Sequence, residues 1–202
     1  ILDNQQDLPF MESFRGDRTC MVSGSTWPED HECLLPYINL AESGQCFVIA
    51  PHKTDTKTVE ALQKGIQRNT ALYSEIGAAN LQEVDVLIID TIGLLTQIYR
   101  YADLAYVGGG FATGLHNTLE PAVFGIPVLI GPRYQGFREA EDLVAAGGIR
   151  IVENKMNFAA QAGELLADSN LRLEMGKVNA SYIERNKGAS NQILAGIRRI
   201  LS

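Results

Sequence analysis

The sequence predicts an α/β fold, a Rossmann-like parallel sheet covered by helices on both faces. Three observations carry that reading. Short runs rich in Val, Ile and Leu alternate with longer amphipathic stretches, the pattern of βα units. Most of these runs are apolar throughout, as strands buried on both faces are. Each longer stretch also begins just after a strand, often with a capping or turn residue.

The strands are expected at 19–23, 46–50, 70–73 (a weak one), 84–90, 104–107, 127–130 and 149–152. Helices are expected at 27–42, 56–68, 92–101, 118–124 and 136–146, followed by a helical tail over 158–201. Pro28 suits a first helical turn, and Thr91 and Asn117 are placed to cap the helices that follow them. Residues 1–18 are polar and weakly patterned and read as a linker from a preceding domain, so that 19–202 form the domain proper.

Composition narrows the function. With 202 residues, 46% of them hydrophobic and 20% charged, the chain suits one domain with a sizeable core. No apolar run approaches the roughly 20 residues that cross a bilayer, and Ile1–Phe10 lacks the basic start and apolar centre of a signal peptide. The three cysteines Cys20, Cys33 and Cys46 fit neither a zinc pattern nor a disulfide framework, and a soluble protein of a reducing cytoplasm is the expectation. A net charge of -7 argues against nucleic acid as the main partner, because backbone binding needs a clustered positive field. Arg138 and the pair Arg198-Arg199 are the local basic exceptions, the pair reading best as a solvated helix face.

Five segments carry chemistry. Gly24-Ser25-Thr26 follows the first strand; it reads equally as an anion-binding turn at a helix start and as ordinary capping. Pro51-His52-Lys53 ends the second strand, at the sheet edge where ligands sit in open parallel sheets, and offers two phosphate donors or simply surface side chains. In Asp90-Thr91-Ile92-Gly93-Leu94, a glycine inside a first helical turn costs about 1 kcal/mol against alanine, which points to close approach of a ligand or to tight helix packing.

The richest segment is Tyr106 to Ala122, with Gly108-Gly109-Gly110-Phe111, then Gly114, then His116-Asn117-Thr118-Leu119-Glu120-Pro121-Ala122. Its spacing is not that of a dinucleotide fingerprint, and the chain has no P-loop, so NAD and ATP sites lose support. Glu120 three residues after Asn117 closes a capping box, or its paired oxygens accept the two vicinal hydroxyls of a ribose. Gly125-Ile126-Pro127 through Gly131-Pro132 is mostly architecture, with Arg133-Tyr134-Gln135 a minor contributor to a pocket.

Taken in order, Gly24-Ser25-Thr26, Ala50-Pro51-His52, Asp90-Thr91-Ile92-Gly93, Tyr106 to Phe111, His116-Asn117-Thr118-Leu119-Glu120 and Gly125-Ile126-Pro127 resemble the C-terminal half of 3-deoxy-D-manno-octulosonic acid (Kdo) transferases, over roughly residues 19–152. The resemblance implies one half of a GT-B glycosyltransferase. That family moves Kdo from CMP-Kdo onto a lipid A precursor at the inner face of the cytoplasmic membrane, by an inverting transfer with no metal and no other cofactor. It implies that Pro51 and His52, Ile92 to Leu94, and Asn117, Thr118 and Glu120 contact the CMP moiety, with Gly24, Ser25, Thr26, Gly109, Gly110, Phe111 and His116 in the surrounding loops. The general base, the acceptor and the membrane contacts are expected on a missing N-terminal domain, and no turnover is expected from this chain alone.

Two departures stand out. Many relatives carry Pro-Arg-His where this chain has Pro51-His52-Lys53, and Trp27-Pro28 replaces a more polar stretch. Arg and Lys are not interchangeable in pairing a phosphate. The alternatives are another nucleotide-sugar enzyme of the same architecture, such as a UDP-sugar transferase or epimerase, and a non-catalytic nucleotide-binding module.

Overall fold

A computed structural model describes residues 6–112 and 114–186. The expected architecture is present. The strands are β1 (Thr19–Thr26), β2 (Gln45–Pro51), β3 (Thr70–Leu72), β4 (Val86–Ile88), β5 (Leu104–Val107), β6 (Val128–Ile130) and β7 (Ile149–Ile151). They form one parallel sheet in the order β3-β4-β2-β1-β5-β6-β7.

Successive residues of the central strands face opposite cores, which is why the strands read as apolar throughout. Cys20, Val22, Cys46, Val48, Ala105 and Val107 enter one core, together with residues of α1 (Pro9–Arg15), α4 (Leu95–Ile98), α5 (Leu119–Ala122) and α6 (Arg138–Ala146). Met21, Phe47, Ile49, Leu104 and Tyr106 enter the other, under α2 (Pro28–Leu40), α3 (Thr56–Gly65), α7 (Lys155–Ala167) and α8 (Ser169–Asn186). All three cysteines are buried free thiols.

The structure corrects several expectations. Residues 9–15 are helix α1 rather than linker; Met11 and Phe14 are fully buried against the first core. The helix is tied down by Leu8 N–H donating to Tyr101 Oη at 2.8 Å and by the Arg15–Asp103 ion pair at 3.1 Å. The expected strand 84–90 narrows to β4, because Val84 closes a turn on Leu81 O. The expected helix 92–101 shrinks to α4 and a 3-10 turn, Tyr99–Tyr101. Gly93 lies in the preceding loop at φ +99°, a left-handed backbone that an L side chain resists, so the turn itself accounts for the glycine. Thr91 is exposed and Leu94 stands at the helix start, with no side-chain cap.

The C-terminal tail is two helices. Asp168 interrupts it: its backbone leaves helical geometry, and its Oδ1 accepts from the N–H groups of Asn170 and Leu171 to start α8. Residues 187–202, with Arg198-Arg199, lie outside the described residues.

If α1 belongs to the folded unit, Phe14→Ala lowers stability by about 3–5 kcal/mol, read as a shifted midpoint in urea denaturation. A linker would leave the midpoint unchanged.

Candidate functional site

The strand order places the site. From β1 the chain runs outward through β2 to β3 at the edge and returns inward to β4; after β4 it crosses back to lay β5 against the other side of β1. The carboxyl ends of β1 and β5 therefore flank a topological switch point, the crevice where open α/β sheets bind ligands. The segments singled out from sequence converge on this edge.

Gly24-Ser25-Thr26 is not a turn after the strand but its last three residues. Gly24 pairs with Ala50 and Thr26 with Pro51, leaving Ser25 as the extra residue of a β-bulge. Ser25 sits at φ 53°, the one non-glycine residue with positive φ among those described, a conformation costing of order 1–3 kcal/mol and frequent at functional sites. Neither Ser25 nor Thr26 caps α2. Trp27 stands at the N-cap position, and Asp30 reaches back to accept from Trp27 N–H at 2.8 Å. The Thr26 hydroxyl instead lies 2.9 Å from His31 Nε2, and burial holds the His31 imidazole below the usual histidine range.

Across the crevice, the glycine loop leaves β5 in close contact with the bulge. A Cβ on Gly108 would lie 2.4 Å from Ser25 O and 2.8 Å from Asp30 Oδ2, so no other residue fits. Asp30 is fully buried and accepts three hydrogen bonds: Trp27 N–H and Gly109 N–H (3.0 Å) on Oδ2, and the Tyr106 hydroxyl (2.6 Å) on Oδ1. Burial first, and the Asp30 carboxylate second, push the Tyr106 phenol well up, so it stays a donor.

Beyond the loop, His116 N–H returns to Gly108 O at 3.2 Å, which swings its ring against Trp27. Trp27 Nε1–H donates to His116 Nε2 at 3.1 Å. His52, exposed at the end of β2, stacks on Trp27 with ring centroids 4.3 Å apart and lies 4.6 Å from His116. Lys53 Nζ stands 5.5 Å from the Trp27 ring centroid. One indole thus gathers His52, His116 and Lys53 at the switch point.

The second half of the site is a carboxylate junction. Glu120 Oε2 accepts from Thr96 Oγ1 at 3.0 Å, and Oε1 from Asn117 Nδ2 at 3.3 Å, while Asn117 Oδ1 accepts from Leu119 N–H. Thr118, not Asn117 as expected, stands at the N-cap of α5 and makes no side-chain cap; Asn117 lies one residue before it, accepting from Leu119 N–H, and Glu120 holds its side-chain amide, not its backbone N–H. Through Thr96, Glu120 ties the start of α4, which follows the loop of Ile92, Gly93 and Leu94, to α5. Ile92 is 90% exposed at the rim, and Thr118 is buried with an unpartnered hydroxyl.

Other expected residues are taken up by packing or local hydrogen bonds. Phe111 packs on the α2/α7 core, Gly110 is buried where the chain passes Gly131, Pro51 is buried, and Asp90 binds Ser74 at the strand end. Arg133 anchors the loop through Ala112 O. Asp30, Tyr106, Thr96 and the Trp27 ring were not legible as site residues. The one local signal was an acid in the first turn of a helix, which usually means only capping. An adjoining cavity of about 480 Å³ opens between α2 and α3, lined by Trp27 and Lys53 of the switch point and by His31, Leu35, Thr58 and Ala61 among others; of the expected donor residues it includes only Thr26.

Fold and site define one Rossmann-like half of the GT-B architecture. The chain is 21% identical, with a TM-score of 0.73, to the C-terminal CMP-Kdo binding domain of WaaA from Acinetobacter baumannii, over 87% of this chain and 98% of that one. In sequence it is related to the 3-deoxy-D-manno-octulosonic acid transferases. It is 29% identical to that of Chlamydophila psittaci over 188 residues, 92% of this chain and 43% of the relative. With that of Chlamydia pneumoniae it shares 35% over 175 residues, 85% of this chain and 38% of the relative. The chain therefore spans less than half the length of these relatives. No protein-family model matches it. Among the described residues no helix is long and apolar enough to cross a membrane.

Burial, and next the neighbouring His52, hold the His116 imidazole below the usual range. Folding favours its neutral form, so the stability this contributes is present above the unfolded value of about 6.5 and is lost as pH falls below it. Because Nε2 accepts from Trp27, the neutral ring carries its proton on Nδ1. Ring-nitrogen NMR is expected to show that tautomer at neutral pH with a depressed midpoint, and Trp27→Phe to raise the midpoint. A wild-type midpoint at or above the ordinary value contradicts the assignment.

Proposed function

We propose that this chain is the donor-nucleotide half of a Kdo transferase, binding CMP-Kdo at the switch point between β1 and β5. The observation that carries the reading is the junction at Glu120. A carboxylate linked to both Thr96 and Asn117 joins α4, directly after the Ile92–Leu94 segment that the family resemblance assigns to CMP, to the Asn117–Glu120 segment that it also assigns. It holds paired acceptor oxygens in a half-buried setting suited to a vicinal diol. The relatedness to Kdo transferases supports the choice of CMP-Kdo over other nucleotide sugars.

In this reading the ribose hydroxyls donate to Glu120, Asn117 and Thr118 flank the nucleoside, and the loop from Ile92 to Leu94 covers it. His52, Lys53 and the Nδ1–H of His116 face the phosphate, whose negative charge grows as CMP departs; fixed donors at that point stabilise the transition state. An acceptor hydroxyl attacks the anomeric carbon of Kdo, a new C–O bond forms as the bond to the phosphate oxygen breaks, and the acceptor proton passes to a general base on the other half of the enzyme. The reaction runs without a metal ion. The acceptor is a lipid A precursor, met with the membrane through that other half at the inner face of the cytoplasmic membrane. The 202-residue chain binds donor but does not turn it over.

Calorimetric titration tests this. CMP is expected to bind in preference to UMP, and Glu120→Ala to weaken CMP at least tenfold, the scale of about 1.4 kcal/mol. A preference for UMP would assign the site to a UDP-sugar enzyme; equal CMP affinity in Glu120→Ala would remove Glu120 from the site.

A further inference from the structure

We propose that Asp30 is a positioning residue of the donor site, acting through the Gly109 and Trp27 backbone rather than by touching the ligand. The proposal rests on the donor reading above. An acid at the third position of a helix ordinarily sits at the surface and satisfies its own helix start. Asp30 does that through Trp27 N–H, yet it is fully buried and has two further partners far along the chain. One is the hydroxyl of Tyr106, 76 residues on; the other is Gly109 N–H, 79 residues on.

The network joins the two elements that hold the phosphate-facing side chains. Oδ2 is shared between Trp27 N–H and Gly109 N–H, so the start of α2 and the glycine loop cannot move independently. From Gly109 the loop arcs out and returns through His116 N–H to Gly108 O. That return sets His116 against the Trp27 indole, whose far end it accepts from. Trp27 is thereby held at both its backbone and its ring, and His52 stacks on it. The Gly108 backbone passes so close to Asp30 that a Cβ on Gly108 would lie 2.8 Å from Asp30 Oδ2. Displacing the loop by about 1 Å is enough to lose much of a positioned interaction.

The test compares wild type, Asp30→Ala and Asp30→Asn in the 202-residue chain. Circular dichroism reports folding, calorimetry with CMP reports affinity, and amide hydrogen exchange is read at Gly109 and Trp27. Folded Asp30→Ala is expected to weaken CMP at least tenfold and to speed exchange at Gly109. In Asp30→Asn the amide oxygen accepts both backbone N–H groups while its NH2 donates to the Tyr106 oxygen, so CMP affinity stays within about threefold of wild type.

Folded Asp30→Ala with wild-type CMP affinity overturns the proposal, as does Asp30→Asn binding as weakly as Asp30→Ala. If Asp30→Ala does not fold, exchange in wild type decides. Coupling is reciprocal, so saturating CMP slows exchange at Gly109 and Trp27, and no change there overturns the proposal. Wild type that binds no CMP sinks the donor reading itself, whereas the ligand-free exchange at Gly109 still reports whether Asp30 holds the loop.

Discussion

The molecule depends on the close passage of two backbones at the carboxyl ends of β1 and β5. The Ser25 bulge and Gly108 approach within a distance that excludes any side chain, and the buried Asp30 carboxylate ties them together. A carboxylate taken out of water is costly unless its oxygens are satisfied. Here each of the three partners is a donor, the Tyr106 hydroxyl from β5 and two backbone N–H groups that would otherwise be orphans at a helix start and a loop. Chain order and local strain meet at this point, and the segments that carry His52, His116 and Glu120 lie at the same edge of the sheet.

Much of the fold was readable from the sequence. Strand runs such as 104–107 were apolar because both faces are buried, and periodicity reports that directly. Pro28 and Asn117 marked helix starts through local chemistry. What was not readable is what distance along the chain conceals. Residues 9–15 looked polar because only Met11 and Phe14 of α1 are fully buried, too few to impose a period, and their partners lie near residue 100. Gly93 suggested a close contact when its cause is backbone sign. Residues 24–26 resembled a turn because a bulge also uses Gly and Ser, and only the register against β2 tells the two apart.

The site was legible in outline and misread in detail. The ordered motifs gather at one edge of the sheet, and His52, His116 and Glu120 gather there with them. Side-chain grouping was invisible: Trp27 looked like a departure, yet its ring brings His52, His116 and Lys53 together. Phe111, adjacent to the glycines, turns into the opposite core instead. Adjacency in sequence predicts loop membership; it does not predict which way a side chain faces.

Two places at this edge suit a ligand: the switch-point junction around Glu120 and the cavity between α2 and α3 behind Trp27. Intermolecular NOEs between CMP and the isotope-labelled chain separate them most directly. The account predicts contacts from the ribose protons to Asn117, Thr118 and Glu120, and from the base to the loop of Ile92 to Leu94. Contacts from the nucleotide to Leu35, Thr58 and Ala61 instead would contradict it and move the donor site to the other side of the indole.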